Sequence, residues 1–187
     1  MVKFQKSDYF EKDQPLVLLS MGSLGSATIN RVVKDLVPKL KDKPYNFLWV
    51  TGTTTYDDYK DLKLPDNIKV VPFIKDLVKV MRITDIFITR AGGGALAEAA
   101  VLGLPIIIIP SPYVTDNHQV LNALDLEQAD AALVIQESNL DELVLSDMID
   151  KIITDDKLKK SLIRNIKKTG IRNSATLIYE EISKLKR

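Results

Sequence analysis

The apolar positions of the chain alternate between two patterns. Residues 15–21 (PLVLLSM) form a continuous apolar run, preceded by charge and followed by Gly22-Ser23-Leu24-Gly25-Ser26. This is the pattern of a strand buried on both faces that runs into a tight glycine turn. Beyond the turn, Ile29, Val32, Val33, Leu36, Val37 and Leu40 recur at helical spacing with Lys and Asp between them, which predicts a helix with one face for a sheet. The same grammar recurs down the chain. Residues 47–51, 68–71 and 85–89 predict strands, with a short helix over 76–81 before the third. That strand ends at Arg90-Ala91-Gly92-Gly93-Gly94, after which a helix runs to about Leu102 and is stopped by Gly103. Residues 104–109, rich in β-branched side chains, predict a further strand. A Pro-bounded loop over 111–116 leads into a helix near 117–127, residues 131–135 are a sixth candidate strand, and residue 140 onward reads as helices punctuated at Thr154 and Gly170.

Strands alternating with amphipathic helices imply an α/β fold, a parallel sheet covered on both faces. Such folds bind ligands at the carboxyl ends of their strands. The two glycine loops, Phe73-Ile74 and residues 111–122 all belong to that edge. The polar stretch 51–60 (TGTTTYDDYK) reads as a mobile surface segment or a substrate contact, the former being favoured.

Composition narrows the partners. With 187 residues, 45% hydrophobic and 27% charged, the chain has enough for one domain, expected over 15–187 behind a polar segment, 1–14. A net charge of +1 gives no electrostatic case for nucleic acid. No cysteine occurs, which excludes disulfides and permits a reducing, cytoplasmic compartment. The amino terminus lacks the apolar core of a signal peptide and no apolar run spans a bilayer. The expectation is a soluble protein, or one peripheral to a membrane. The C-terminal segment carries Lys157, Lys159, Lys160, Arg164, Lys167, Lys168, Arg172, Lys184, Lys186 and Arg187, a face that suits solvent or anionic lipid headgroups.

Gly22, Gly25 and the run Gly92, Gly93, Gly94 each lie between a strand and a helix, where missing side chains let a ligand approach backbone amides at the positive end of the helix. Two such loops on one edge suggest a phosphate or diphosphate, although either alone could simply serve a tight turn. Neither fits the P-loop pattern or a full dinucleotide fingerprint. Glu98 follows the second loop inside a run of Ala and Leu; it reads as a carboxylate facing apolar neighbours and able to accept from both ribose hydroxyls, or as a solvent-facing helix acid. His118 is the only histidine, so neither a catalytic triad nor a two-His metal site is available within one chain. It is expected to contact ligand rather than catalyse, and no bound metal and no cofactor are expected.

At LLSMGSLGSATIN, at VVPFIKDL and above all at ITRAGGGALAEAAVLGLPIIIIPSPYVTDNHQVLNALDLE, the chain resembles the MurG family of glycosyltransferases. The resemblance runs from about residue 15 to the end and is most specific between Arg90 and Asn122. It implies the C-terminal, donor-binding half of a GT-B fold: a Rossmann-like parallel sheet of about six strands with helices on both faces. Members of the family transfer N-acetylglucosamine from UDP-GlcNAc to lipid I, giving lipid II for peptidoglycan on the cytoplasmic face of the membrane. Carried across by position, the resemblance places Ser23 near the nucleoside and phosphates, the Ile74 backbone at uracil and Glu98 at the ribose. It puts the Ala95 and Leu96 backbones near the diphosphate and His118 with Gln119 at the sugar hydroxyls, with Asn122 supporting that pair. His118 departs from the glutamine of many members.

The amino-terminal half of the family, with its own glycine loop and histidine base, has no counterpart here, nor has the interdomain Asn-Pro-x-Arg segment. The implied partners are UDP-GlcNAc, an acceptor domain joined covalently or in trans as in split two-chain transferases, and lipid I through that domain. The isolated chain is expected to be inactive. The face formed by Leu177, Ile178, Ile182 and Leu185 is expected to dock on the other half. A complete small nucleotide-sugar enzyme and a non-catalytic UDP-sugar-binding module are the alternatives.

Overall fold

The computed structural model describes residues 5–185. Six strands, β1 (Leu16–Ser20), β2 (Asn46–Val50), β3 (Ile68–Val71), β4 (Ile86–Thr89), β5 (Ile106–Ile108) and β6 (Leu133–Val134), form one sheet in the order β3-β2-β1-β4-β5-β6. Every pairing is parallel. The helices are α1 (Ala27–Leu40), α2 (Leu77–Met81), α3 (Gly93–Leu102), α4 (His118–Gln128), α5 (Glu142–Thr154), α6 (Asp156–Thr169) and α7 (Ser174–Leu185). All six expected strands are present, with β6 shorter than its apolar run; Ile135, just past it, is buried in the core.

Strand side chains alternate between two cores, as the pleat requires. Val17, Leu19, Phe47, Trp49, Ile86, Ile88 and Ile107 pack with Ile29, Val33 and Leu36 of α1 and Leu145, Ile149 and Ile152 of α5. Leu16, Leu18, Leu48, Phe87, Ile106 and Ile108 pack on the other face with Val80 and Met81 of α2, Ala99 and Ala100 of α3, Ala123 of α4 and Ile166 of α6. Burial on both faces explains why the strands read as unbroken apolar runs. The Ala-rich α3 lies close against α6: a Cβ on Gly170 would stand 2.9 Å from the Ala100 backbone. Gly103 ends α3 in the left-handed region (φ 70°), and the Leu104 N–H turns back to the Ala99 carbonyl at 3.0 Å.

Two segments depart from expectation. Within its described part, the polar amino-terminal stretch buries Phe10 in the second core and places Lys6 Nζ 2.9 Å from Asp85. Asp85 also accepts from the Leu16 N–H at 2.9 Å and lies 3.3 Å from Lys159 Nζ, so it ties β1, β4 and α6 together. The loop 51–60 is a brace and not a loose surface segment. Thr51 and Tyr59 are buried, and the Tyr59 ring packs 4.8 Å from that of Trp49. The terminal helix α7 buries none of its residues, leaving Leu177, Ile178, Ile182 and Leu185 exposed. The basic residues Lys186 and Arg187 lie outside the described residues.

Candidate functional site

The chain builds β1, β2 and β3 outward in one direction and then crosses back to lay β4 against the other side of β1. Loops leaving the carboxyl ends of β1 and β4 therefore diverge, and a crevice opens between them. Ser20 and Thr89, the last residues of the two strands, are register partners. One glycine loop follows each.

The glycines of the first loop serve its own shape. Gly22 and Gly25 have φ of 90° and 78°, values that disfavour any side chain. A Cβ on Gly25 would also collide with the Thr51 carbonyl oxygen, and one on Gly52 with the Leu24–Gly25 backbone. The exposed Ser23 is held from behind, its carbonyl accepting the Thr53 N–H at 3.1 Å. Asn30, buried in α1, carries the brace further: its Nδ2 donates to the Thr51 carbonyl and Thr55 Oγ1, both at 2.7 Å, while its Oδ1 accepts the Trp49 indole N–H at 2.8 Å. Sequence reading missed this role for Asn30, which lies unmarked on a helix otherwise scored by its apolar face.

The second loop is different. None of Gly92, Gly93 and Gly94 has a positive φ, and a Cβ on any of them would meet nothing within 4 Å. Gly92 is the N-cap, where glycine is among the favoured residues, but local structure gives no reason for Gly93 and Gly94, where alanine would favour the helix by up to ~1 kcal/mol each. Their effect is to bare the backbone at the start of α3. No side chain caps that helix, and the first intrahelical bond is from the Leu96 N–H to the Gly92 carbonyl at 3.1 Å. Among the described residues, the Gly93, Gly94 and Ala95 amides have no acceptor. They present the positive end of the helix, about half a unit charge, to the crevice. Leu96 contributes no such amide, because its N–H is engaged in the helix and its side chain is buried.

Residues 111–122 close the site from the β5 side. The Gln119 Oε1 accepts the Ser111 N–H at 3.0 Å, which leaves its NH2 as donor. His118 is exposed, with Nδ1 at 2.8 Å from the Thr115 carbonyl. A carbonyl only accepts, so Nδ1 carries the proton and Nε2 is the free acceptor of the neutral ring. Asp116 and Asn117 just before it are both left-handed, with φ of 56° and 52°. Among the described residues Asn122 makes no hydrogen bond to His118 or Gln119; its Nδ2 donates to the Ala91 carbonyl at 3.1 Å and ties α4, which carries both, to the second glycine loop. Glu98 does not face apolar neighbours, since Leu96, Ala99 and Ala100 take the buried side of α3 and leave it exposed, without a partner among the described residues. The half-buried Ile74 lies further along the same edge, between β3 and α2.

Arg90, which opens the second glycine loop, spans the crevice. Its Nη2 donates to Ser26 Oγ at 3.0 Å; its Nη1 donates to the Ile109 carbonyl at 3.1 Å and pairs with Glu137. A cavity of about 640 Å³ lies at the opposite, amino edge of the sheet among Phe10, Lys12, Lys43, Asn46 and Lys69. Neither glycine loop reaches it, so the open crevice remains the candidate site. Among the described residues no cluster of acidic and histidine side chains is placed to hold a metal ion.

Comparison with known proteins agrees with this geometry. Residues 16–178 match the glycosyltransferase family 28 C-terminal domain. The chain is 41% identical over 180 residues to the UDP-N-acetylglucosamine--N-acetylmuramyl-(pentapeptide) pyrophosphoryl-undecaprenol N-acetylglucosamine transferase of Exiguobacterium sibiricum, covering 94% of this chain and 48% of that one. It is 35% identical to the protein of the same name from Bacillus subtilis, covering 94% and 50%. The crystal structure of Acinetobacter baumannii MurG superposes with a TM-score of 0.80 at 26% identity, over 97% of this chain and 54% of that one. The chain spans about half the length of the curated relatives it matches. The family match runs from β1 into α7 and takes in both glycine loops: the chain belongs to glycosyltransferase family 28, as the C-terminal domain of that family.

Proposed function

We propose that this chain is the donor-binding half of a MurG-type inverting N-acetylglucosaminyltransferase and holds UDP-GlcNAc in the crevice between β1 and β4. The observation that carries this reading is the Gly92-Gly93-Gly94 run: glycines that neither backbone angle nor crowding demands, at the uncapped start of a ten-residue helix. They leave room for a diphosphate to reach the Gly93, Gly94 and Ala95 amides. In this reading Ser23 borders the phosphates, Glu98 accepts from the ribose hydroxyls, and the Ile74 backbone meets the uracil. Gln119 through its NH2 and His118 through Nε2 hold the sugar, while Asn122 steadies the loop beneath them. The shared name of the curated relatives supports the choice of sugar nucleotide and of a lipid-linked acceptor.

The chemistry asked of this half is stabilisation of the departing UDP. As the bond from the anomeric carbon to the diphosphate breaks, negative charge grows on the leaving oxygen, and preorganised amides at the α3 terminus are aimed at it. No metal is needed for that step. The acceptor hydroxyl and the base that removes its proton come from the other half of the transferase, linked covalently or present as a separate chain. The exposed apolar side of α7 is the surface offered to that half. The exposed Lys157, Lys160, Arg164, Lys167 and Lys168 of α6 suit anionic headgroups at the cytoplasmic face. No helix among the described residues is long and apolar enough to cross a membrane.

Titration of the chain with UDP and UDP-GlcNAc, with and without EDTA, tests the proposal alongside a lipid II assay. Binding in the range of about 10 µM to 1 mM is expected for an open half-site, unchanged by EDTA, with no transfer by the chain alone. Failure to bind either ligand, or binding that requires magnesium, refutes the proposal. Turnover without the second half refutes the division of labour.

A further inference from the structure

Ser26 closes the first glycine loop and Arg90 opens the second, and their side chains meet across the crevice. Ser26 is the N-cap of α1, and its Oγ accepts the Ile29 N–H at 3.4 Å. A capping serine needs nothing more. Here the same oxygen also accepts from Arg90 Nη2 at 3.0 Å. A hydroxyl has two acceptor lone pairs and one hydrogen. With both lone pairs engaged, the Ser26 O–H is left as a donor, and among the described residues nothing accepts it.

Arg90 is itself held on its other side. Its Nη1 reaches the Ile109 carbonyl at 3.1 Å and pairs with Glu137, and the two side chains are 15% and 9% exposed. A guanidinium neutralised by a nearly buried carboxylate is poorly suited to bind phosphate directly, but its planar fork fixes three acceptors at once, which an ammonium cannot do. Ile109 follows β5 and Glu137 follows β6, so the orientation of the Ser26 hydroxyl is set from the far side of the crevice.

We propose that Arg90 is a positioning residue that holds the Ser26 hydroxyl as a hydrogen-bond donor for the ligand's diphosphate; this rests on the sugar-nucleotide reading above. Two elements on opposite sides of the switch point then serve one anion, the α3 amides from one glycine loop and the Ser26 hydroxyl from the other. The bridge also fixes the separation of the α1 and α3 termini, so the anion meets a preformed site.

The test is an NMR titration of the 187-residue chain with UDP and with uridine, which lacks the phosphates, for the parent and three variants. Ser26→Gly removes the hydroxyl while glycine caps a helix nearly as well as serine. It is expected to weaken UDP about tenfold and leave uridine unchanged, as loss of a bond to a charged acceptor should. Ser26→Thr restores the hydroxyl and is expected to recover UDP binding to within about threefold of the parent. Arg90→Lys is expected to repeat the selective loss of UDP. A purely structural bridge predicts instead that UDP and uridine weaken together. If Arg90→Lys does not fold, the two Ser26 variants still decide. A parent that binds UDP with a ratio to uridine that Ser26→Gly leaves unaltered overturns this inference alone. A parent that binds no UDP overturns the sugar-nucleotide reading and this inference with it.

Discussion

Replacing Gly94 by alanine separates the two reasons a glycine can have for being at a strand-helix junction. Gly94 is the second residue of α3, its φ is not positive, and a Cβ there meets nothing within 4 Å. In the absence of ligand, alanine should therefore be better: the unfolded chain loses freedom and the helix gains propensity, together about 0.5–1 kcal/mol. For a domain of this length ~1 kcal/mol moves the melting temperature by roughly 2–4 °C, so a rise of about 1–3 °C is expected. Ligand binding should move the other way. The methyl group would stand where a diphosphate approaches the backbone, and a loss of at least ~1.4 kcal/mol, tenfold in Kd, is expected for UDP. Differential scanning fluorimetry and calorimetric titration on one preparation read both quantities. Gly25→Ala is the control of opposite sign, because φ of 78° and the collision with the Thr51 carbonyl should cost about 1–3 kcal/mol of stability. A Gly94→Ala protein that melts higher and binds UDP as tightly as the parent would show that the bared α3 backbone serves no ligand, and the site argument would lose its main support.

Glu98→Ala is expected to cost roughly 1–3 kcal/mol in UDP affinity with little change in stability, since the side chain is exposed and unpaired among the described residues; His118→Ala should weaken UDP-GlcNAc and spare UDP, and equal losses for both ligands would put His118 at the nucleotide instead. Asp85 supplies a pH signature. Burial raises its pKa, but the Leu16 N–H and the Lys6 and Lys159 ammonium groups outweigh burial and hold the carboxyl below its ordinary value. A carboxyl with a depressed folded-state pKa stabilises the native state above its unfolded pKa of about 4, and that stabilisation is lost as pH falls through the folded value. Asp85→Asn should therefore melt below the parent at pH 7, with the gap narrowing under acid, in thermal melts from pH 7 to pH 3; a gap that stays constant would show that the carboxylate charge is not what ties β1, β4 and α6 together.

The architecture was legible because burial on both sheet faces leaves a strong mark. Residues 16–19, 47–50 and 86–88 are unbroken apolar runs, the α1 stripe repeats at helical spacing, and Gly103 and Thr154 end their helices near where composition says they should. The polar run 51–60 was misread for the opposite reason. Its threonines and tyrosines look like solvent-exposed loop, and only the closed fold brings Thr51 under Gly25 and Tyr59 onto Trp49.

Along the chain alone, the positions of both glycine loops, the apolar identity of each strand and the single histidine in its Pro-bounded loop were determined, since these depend on local backbone geometry and on periodic burial. The tertiary structure decided what each of those groups is free to do. It gave the glycines of the first loop to backbone shape and left those of the second loop bare. It turned Asn122 toward Ala91, exposed Glu98 and brought Arg90 within reach of Ser26, Ile109 and Glu137, residues up to 64 positions away. Periodicity records which side of an element faces the core, whereas a hydrogen bond depends on which other element arrives there, and in a parallel sheet each neighbour arrives only after a crossover has passed over the face of the sheet.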